Sequence, residues 1–210
     1  PKPSRARLNV TPDPADLRDR PYLPRPRSLP EIYPANADIA RYMGAYTHSG
    51  LILNQGQEGA CTGFGLACVI NYLRWRAAAM PNRLEPVSPR MLFHFARLYD
   101  EYAGENYEGS SCRGALKGWY HNGVCLEANW PYLAGLDTPP KLGWEHEARE
   151  HTLGVYYRID TQAITDLQAA ILEVGAIYVS SYTHSGWERL STPLPAPDSH
   201  EDLPVIDYDG

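Results

Sequence analysis

Residues 54–64 read Asn-Gln-Gly-Gln-Glu-Gly-Ala-Cys-Thr-Gly-Phe, and this stretch decides both the fold and the chemistry of the chain. It places Cys61 where a glycine-rich loop turns into a long apolar helix, with Gln55 six positions earlier. The positive end of the helix dipole and the N–H groups of the first helical turn favour the thiolate, which is the nucleophile. The glutamine amide is a donor for an oxyanion beside that sulfur, and Gly56 and Gly59 allow close approach of a substrate backbone. The arrangement suits acyl transfer through a thioester.

Residues 55–61 also fit the signature Gln-Gly-x-x-Gly-x-Cys without a gap, and on this motif the chain resembles the papain-like cysteine peptidases. The resemblance implies that Cys61 is the nucleophile and that Gln55 is the oxyanion-hole side chain. Thr62 stands where the family usually has Trp, which is more similar to bacterial members than to papain itself. Glu58 stands where the family has a cysteine, so that family disulfide cannot form. The alternative is a structural cysteine buried at a tight turn.

A second match covers residues 109–120, Gly-Ser-Ser-Cys-Arg-Gly-Ala-Leu-Lys-Gly-Trp-Tyr. In relatives a Gly-Gly pair opens this helix and pairs with an extended substrate like an added strand. By position Gly109 and Ser110 take that role, and the resemblance implies that Cys112 lines the neighbouring specificity pocket. The predicted substrate-binding residues are Gly59, Gly109, Ser110 and Cys112. The alternative is an ordinary helix start with a serine cap and Gly123 as its stop, and both can hold at once.

Composition restricts the classes of partner and cofactor. The chain has 210 residues, of which 43% are hydrophobic, including 15 Tyr and 5 Trp, as expected of a globular protein. A net charge of −6 does not favour nucleic acid or an anionic membrane surface as partner. No apolar run approaches the roughly 18–20 residues of a membrane span. The four cysteines lack metal-ligand spacing, so we expect no metal and no cofactor; cytoplasmic and exported locations both stay open.

Helical patterns come first and strand patterns later, which predicts an α+β fold. The helix after Cys61 is apolar nearly all round and should be the buried central helix; a second helix should begin at Ser88-Pro89, a cap followed by proline. Its predicted buried stripe comprises Met91, Leu92, Phe95, Leu98, Tyr99 and Tyr102. Strands are predicted at 155–159 and 176–182. The helix between them should start at Asp160 or Thr161, carry Ile164, Leu167 and Ile171 inward, and end at Gly175.

The resemblance implies a papain-like architecture, in which a helical half faces an antiparallel β-barrel half. The predicted divisions are a Pro/Arg-rich extended N-terminal arm at 1–34, a helical half with the nucleophile at 35–150, and the start of an incomplete β half at 151–210. We expect the arm to pack on the domain. A disordered tail and the remnant of a propeptide are the alternatives.

The base that a cysteine peptidase needs is not evident in this sequence. The family supplies it from a His that opens an apolar strand, followed by Asn-Ser-Trp, and neither motif is present. His200 lies within the window of roughly 130–150 residues after Cys61, but in a polar loop that a proline interrupts. His184 is a weaker candidate. We therefore expect the base from outside this chain, in a second polypeptide or a C-terminal segment that completes the fold.

The sequence thus predicts a cysteine-type peptidase that acts on protein or peptide substrates. One alternative is a pseudo-peptidase that has kept the cleft, lost the base and binds extended peptides. Another is a papain-fold transamidase or deamidase that uses the same thioester with a different acceptor. The retention of Gln55 and Cys61 favours an enzyme, because a cleft used only for binding needs neither.

Overall fold

The computed structural model describes residues 10–26, 29–31, 34–100, 108–184, 186–187, 197, 199–203 and 206. Among these residues the α-helices are α1 (Asn36–Thr47), α2 (Cys61–Ala77), α3 (Pro89–Leu98), α4 (Cys112–Asn122), α5 (Trp144–Ala148) and α6 (Ile164–Val174), and a 3-10 turn covers His200–Asp202. The strands are β1 (Val10–Thr11) and β2 (Ser110–Ser111). Within these ranges, no helix is both long enough and apolar enough to cross a membrane.

Helix α2 lies at the centre of the core, as the sequence predicts. Its buried residues are Thr62, Gly63, Phe64, Leu66, Ala67, Ile70, Asn71 and Trp75. The main hydrophobic cluster joins α2 to α3 and α4 and continues to Trp130 and Ala148. Asn71 is buried in this cluster, and its side-chain oxygen accepts a hydrogen bond from the Val87 N–H at 2.9 Å. The polar side chain therefore fixes the segment that leads into α3.

Helix α3 begins as predicted. The Ser88 hydroxyl accepts a hydrogen bond from the Met91 N–H at 3.0 Å, and proline occupies the first helical position. The predicted buried stripe is right for Met91 and Leu92 but wrong for Leu98, which is 64% exposed. Burial is greatest in the first half of α3, where Pro89 and Phe93 lie against Gly63 of α2, whereas Leu98 ends the helix. Tyr102 lies outside the described residues.

Glycines allow α3 to pack closely against both neighbouring helices. A Cβ atom at Gly63 of α2 would lie 2.7 Å from the Phe93 Cβ atom and from the Pro89 carbonyl oxygen. On the other side, a Cβ at Gly118 of α4 would lie 2.7 Å from the Phe95 Cβ. These distances are well inside van der Waals contact, so both positions need glycine for the observed crossing.

Helix α4 begins and ends at the predicted residues. The Ser111 hydroxyl accepts a hydrogen bond from the Gly114 N–H at 3.1 Å, and Gly123 ends the helix with φ +70°. Helix α6 ends at Gly175 as predicted, with φ +98°. Its predicted start is wrong, because its N-cap is Ala163 and the Asp160 carboxylate instead accepts from the Gln162 N–H in the preceding turn. Ile164, predicted to point inward, is 68% exposed.

The β structure of the described residues differs from the predicted antiparallel half-barrel. The two strands run parallel, with Val10 opposite Ser110, so they join the N-terminal arm to the start of α4. Of the two later strand predictions, residues 176–182 lie in no helix or strand, and Arg158 makes a single parallel bridge with Pro21 through backbone hydrogen bonds with Arg20 and Tyr22. Alternating hydrophobic residues form a strand only where a neighbouring segment continues the hydrogen-bond ladder, and among the described residues none continues it here. The division of the chain at residues 34 and 150 stays a prediction.

Gly118→Ala tests the close packing of α3 against α4. Alanine is the better helix former by about 1 kcal/mol, but the clash with Phe95 should outweigh this and destabilise the fold by about 1–3 kcal/mol. Urea unfolding measures the difference. The control is Gly154→Ala, where a Cβ would meet no atom within 4 Å; we expect little change there. A Gly118→Ala variant more stable than wild type would contradict the packing argument.

Candidate active site around Cys61

The loop that precedes Cys61 is a tight turn built by its own short-range hydrogen bonds. The Gly56 N–H donates to the Asn54 side-chain oxygen at 2.9 Å, and the Ala60 N–H donates to the Glu58 carbonyl at 2.8 Å. Gly56 has φ +61°, a conformation that favours glycine. Cys61 is the first residue of α2 and is partly buried. Its N-cap, Ala60, makes no side-chain hydrogen bond to the first N–H groups of the helix.

Gln55 is held on the same turn. Its side-chain amide donates to the Glu58 carbonyl at 3.1 Å, and its own carbonyl accepts a hydrogen bond from the Tyr132 hydroxyl at 2.7 Å. The amide is thus oriented by the loop that ends at Cys61, and the backbone of Gln55 is tied to a separate segment of the chain.

An ion pair braces this loop against α3. The Arg90 guanidinium donates two hydrogen bonds to the Glu58 carboxylate, at 2.7 and 2.8 Å, and lies 4.6 Å from the centroid of the Tyr132 ring. The Arg90 side chain is 6% exposed and that of Glu58 is 23% exposed. Partial burial acts to raise the pKa of Glu58, but the hydrogen bonds from Arg90 and Tyr132, together with the charge of Arg90, outweigh it and lower the pKa from its usual value. The ionised form of Glu58 is therefore stabilised by its neighbours, chiefly Arg90.

Thr62 and Ser110, which both differ from the residues usual in the papain-like peptidases, contact each other. The hydroxyls of Thr62 and Ser110 are 2.5 Å apart, and both side chains are buried. The Thr62 carbonyl also accepts a hydrogen bond from the Tyr178 hydroxyl at 2.8 Å. The first turn of α2 is therefore joined directly to β2, next to Gly109, which is buried as well.

Cys112 begins α4 beside this contact. Burial raises the pKa of the Cys112 thiol; the charges of Asp13 and Cys61 act in the same direction, and hydrogen bonds to Tyr178 and Ser180 oppose it. Cys112 and Cys61 are thus electrostatic neighbours at the starts of two helices.

Of the two remaining thiols, Cys125 is buried and Cys68 is partly buried. Burial raises the pKa of Cys68, and it raises that of Cys125 to about 12.

The N-terminal arm lies along the predicted substrate strand. Strand β1 pairs with Ser110 and Ser111 through the backbone. Beyond β1, the Asp13 carboxylate accepts from the Arg113 N–H in the first turn of α4 at 2.9 Å. The Asp19 carboxylate bonds to the Arg113 side chain at 2.6 Å and to the Arg158 side chain at 2.9 Å. The arm therefore covers the backbone edge that the sequence assigns to a substrate.

The two candidate histidines lie in different surroundings. His200 is exposed, and it bonds through its ring to the Pro34 carbonyl and through its N–H to the Asn36 side chain at 3.1 Å, at the start of α1. The ring of His184 accepts from the Gly186 N–H at 3.2 Å. In the described part of the chain, no group of three or more His, Cys, Asp or Glu side chains could hold a metal ion.

The fold of this chain is similar to a papain-type fold. One solved structure similar to it is xylellain, a cysteine protease from Xylella fastidiosa. It has a TM-score of 0.58 and 22% sequence identity, over 81% of this chain and 65% of xylellain. The chain thus spans less than two thirds of that structure. No protein-family model matches the sequence, and no curated protein matches it either.

Sequence reasoning missed the residues that support the loop. Arg90, Tyr132 and Tyr178 each contact the turn before Cys61 or the first turn of α2 from another part of the chain. From the sequence alone, Arg90 would be expected to be exposed, yet it is only 5% exposed. The one available signal was Glu58 itself, because a carboxylate in place of a cysteine beside a nucleophile needs a cationic partner.

Glu58→Gln tests the ion pair through its dependence on pH. Because folding lowers the pKa of Glu58, the stabilisation is complete above about pH 4.5 and is lost as the pH falls through the lower, folded-state pKa. We expect the variant to be less stable by about 2 kcal/mol at pH 7, since the pair is only partly exposed, and the difference to shrink below pH 4.5. Urea unfolding across pH measures it. The exposed Glu150→Gln is the control; a loss that is the same at every pH would contradict the charge-based explanation.

Proposed function

We propose that this chain is the nucleophile-bearing part of a cysteine-type peptidase that hydrolyses peptide bonds through a thioester at Cys61. The observation that carries the proposal is the position of the thiol at the start of the buried helix α2, on the same turn as the Gln55 amide. The resemblance to a cysteine protease fold supports it.

In this proposal the Cys61 thiol gives its proton to the general base, its sulfur forms a bond to the substrate carbonyl carbon, and the π electron pair moves to the oxygen. The Gln55 amide and the Cys61 N–H donate hydrogen bonds to that oxyanion. Collapse of the intermediate breaks the C–N bond and leaves a thioester, and the amine departs with a proton from the general acid. Water then hydrolyses the thioester.

We assign the substrate backbone to the edge formed by Gly109 and Ser110, with Cys112 beside it and Gly59 on the opposite loop. The pairing of β1 with Ser110 supports this assignment, because it shows that this edge accepts an extended segment. The general base is assigned to a segment outside these 210 residues. The contacts of His200 with Pro34 and Asn36 favour such a source over His200.

A binding function is the second candidate, and the same strand pairing favours it. The edge at β2 holds an extended segment through backbone hydrogen bonds, which requires no nucleophile. A pseudo-peptidase would bind peptides there without cleaving them.

Alkylation by iodoacetamide tests the nucleophile. At pH 7 we expect Cys61 to be modified at least about tenfold faster than Cys112 or Cys125, because burial raises the pKa of both of those thiols. Peptide mapping by mass spectrometry gives the separate rates. We expect no peptide hydrolysis by this chain alone, because the base lies outside it; in longer forms of the protein, hydrolysis should disappear in Cys61→Ser and persist in His200→Ala. Equal alkylation rates at Cys61, Cys112 and Cys125 would contradict the assignment of Cys61 as the nucleophile. Peptide binding without any cleavage would favour the pseudo-peptidase.

We also propose that the N-terminal arm inhibits the site by occupying the substrate edge. Its attachment rests on β1, on Asp13 at the start of α4 and on the bonds of Asp19 to Arg113 and Arg158. Because the arm and a substrate strand would use the same backbone groups of Ser110, they cannot bind together.

Asp19→Asn tests this inhibition. It removes the charge that holds two arginines, so we expect Cys61 to react severalfold faster with a peptidyl chloromethylketone, while its reaction with iodoacetamide stays the same. The control is Asp16→Asn, because Asp16 pairs mainly with Arg18 of the arm itself and reaches Lys117 only at 4.0 Å. Equal rates for wild type and Asp19→Asn with the peptidyl reagent would argue against an inhibitory arm.

A further inference from the structure

The contacts around Gln55 form a closed ring of side chains. The Gln55 amide bonds to the Glu58 carbonyl, the Glu58 carboxylate bonds to Arg90, the Arg90 guanidinium stacks on the Tyr132 ring, and the Tyr132 hydroxyl bonds back to the Gln55 carbonyl. Glu127 fixes the ring from outside, because its carboxylate accepts from the Tyr132 N–H at 2.7 Å. We name the three side chains Glu58, Arg90 and Tyr132 the oxyanion-loop clamp.

We propose that the oxyanion-loop clamp positions Gln55, so that its amide lies where an oxyanion forms at Cys61. This inference rests on the proposed function and deepens it. None of the three side chains needs to touch the substrate; each acts on Gln55, directly or through the loop.

The geometry explains why the loop needs such support. An oxyanion donor must lie within about 2.7–3.1 Å of the developing charge, and a displacement of about 1 Å can cost roughly a hundredfold in rate. The loop between Asn54 and Ala60 contains two glycines, which give it conformational freedom. The clamp removes that freedom at both ends of Gln55, since Tyr132 holds its backbone and the Glu58 carbonyl holds its side chain.

The choice of residue types is specific. The planar guanidinium of Arg90 bonds to both carboxylate oxygens of Glu58 while its central carbon lies 4.6 Å from the Tyr132 ring centroid, a combination that lysine cannot reproduce. A third, weaker bond runs from Arg90 to the Leu133 carbonyl at 3.4 Å. Arg90 thus connects the loop, α3 and the segment around Tyr132.

The test compares two probes of Cys61 in the present chain. With N-acetylglycinal, the sulfur bonds to the aldehyde carbon, the π pair moves to the oxygen, and the thiol proton goes to that oxygen or to solvent, so the adduct contains the oxygen that Gln55 should bind. With iodoacetamide, sulfur displaces iodide and no oxyanion forms. Aldehyde affinity is read from protection against alkylation, and alkylation alone gives the reactivity of the thiol.

We expect Tyr132→Phe and Arg90→Lys to weaken the aldehyde adduct at least about tenfold, as loss of a hydrogen bond to a charged oxygen predicts. The alkylation rate should stay within about twofold of wild type. Gln55→Ala should weaken the adduct at least as much, and adding Tyr132→Phe to Gln55→Ala should weaken it no further, because the clamp acts only through Gln55. The matched control is Trp119→Phe, which also removes one hydrogen bond from a side chain to a backbone carbonyl, that of His151 at 2.8 Å.

The outcomes separate the two proposals. If wild type binds the aldehyde and Tyr132→Phe and Arg90→Lys bind it equally well, the positioning role is wrong and the proposed function stands. The positioning role is also wrong if the losses multiply with that of Gln55→Ala, or if Trp119→Phe weakens the adduct as much as they do. If wild type binds no aldehyde and Cys61 is alkylated no faster than Cys112, the proposed function fails and the positioning role fails with it.

Discussion

The close crossing of α2 and α3 at Gly63 is the constraint on which the site depends. Only Thr62 separates Gly63 from Cys61, and at this point the α2 backbone lies against Pro89 and Phe93 of α3. The crossing brings the start of α3 beside the loop that precedes α2. Arg90 follows Pro89 directly, and this placement allows its guanidinium to reach Glu58. A side chain at position 63 would push α2 and α3 apart. It would thereby move Glu58, in the loop before Cys61, away from Arg90 of α3.

Two pairs of polar side chains near Cys61 stabilise each other: Thr62 with Ser110, and Glu58 with Arg90. Burying a hydroxyl without a partner costs about 1–3 kcal/mol, so Thr62 or Ser110 alone would weaken the interior. Together they satisfy each other at 2.5 Å. In the same way, Glu58 alone would be a poorly solvated carboxylate, and Arg90 alone would be a buried cation. Each of these side chains would be unfavourable in its position without its partner, so each pair stabilises the fold as a unit.

How far the sequence predicts the structure depends on whether a signal is local. The starts of α3 and α4 follow from Ser88, Pro89 and Ser111, because caps and N-terminal prolines act within one turn. Helix α1 was not predicted, since its N-cap Ala35 makes no side-chain bond, and Tyr46 near its end packs on aromatic rings of α2. The antiparallel half-barrel was predicted by resemblance, and alternation alone cannot say which partner a strand will find.

The same distinction applies to the site. The positions of Cys61 and Gln55, on the turn that leads into α2, could be predicted, because the motif that carries them is contiguous. The clamp could not, because its members are 32 and 77 residues from their partners in the chain. A charged residue such as Arg90 is usually exposed, and only the tertiary contact with Glu58 and Tyr132 makes its burial favourable.

In the proposed function, the attachment of the arm has a consequence for any substrate. A segment tethered to its own binding edge acts at an effective concentration of the order of millimolar, so a free peptide at lower concentration cannot displace it by matching its affinity. Either the contacts of the arm must be individually weak, or the arm must be removed. The two-residue strand β1 is short, and most of the directional contacts lie further along, at Asp13 and Asp19. Loss of those carboxylate contacts would therefore leave β1 as a minimal strand that a longer substrate, pairing along the same edge, could replace.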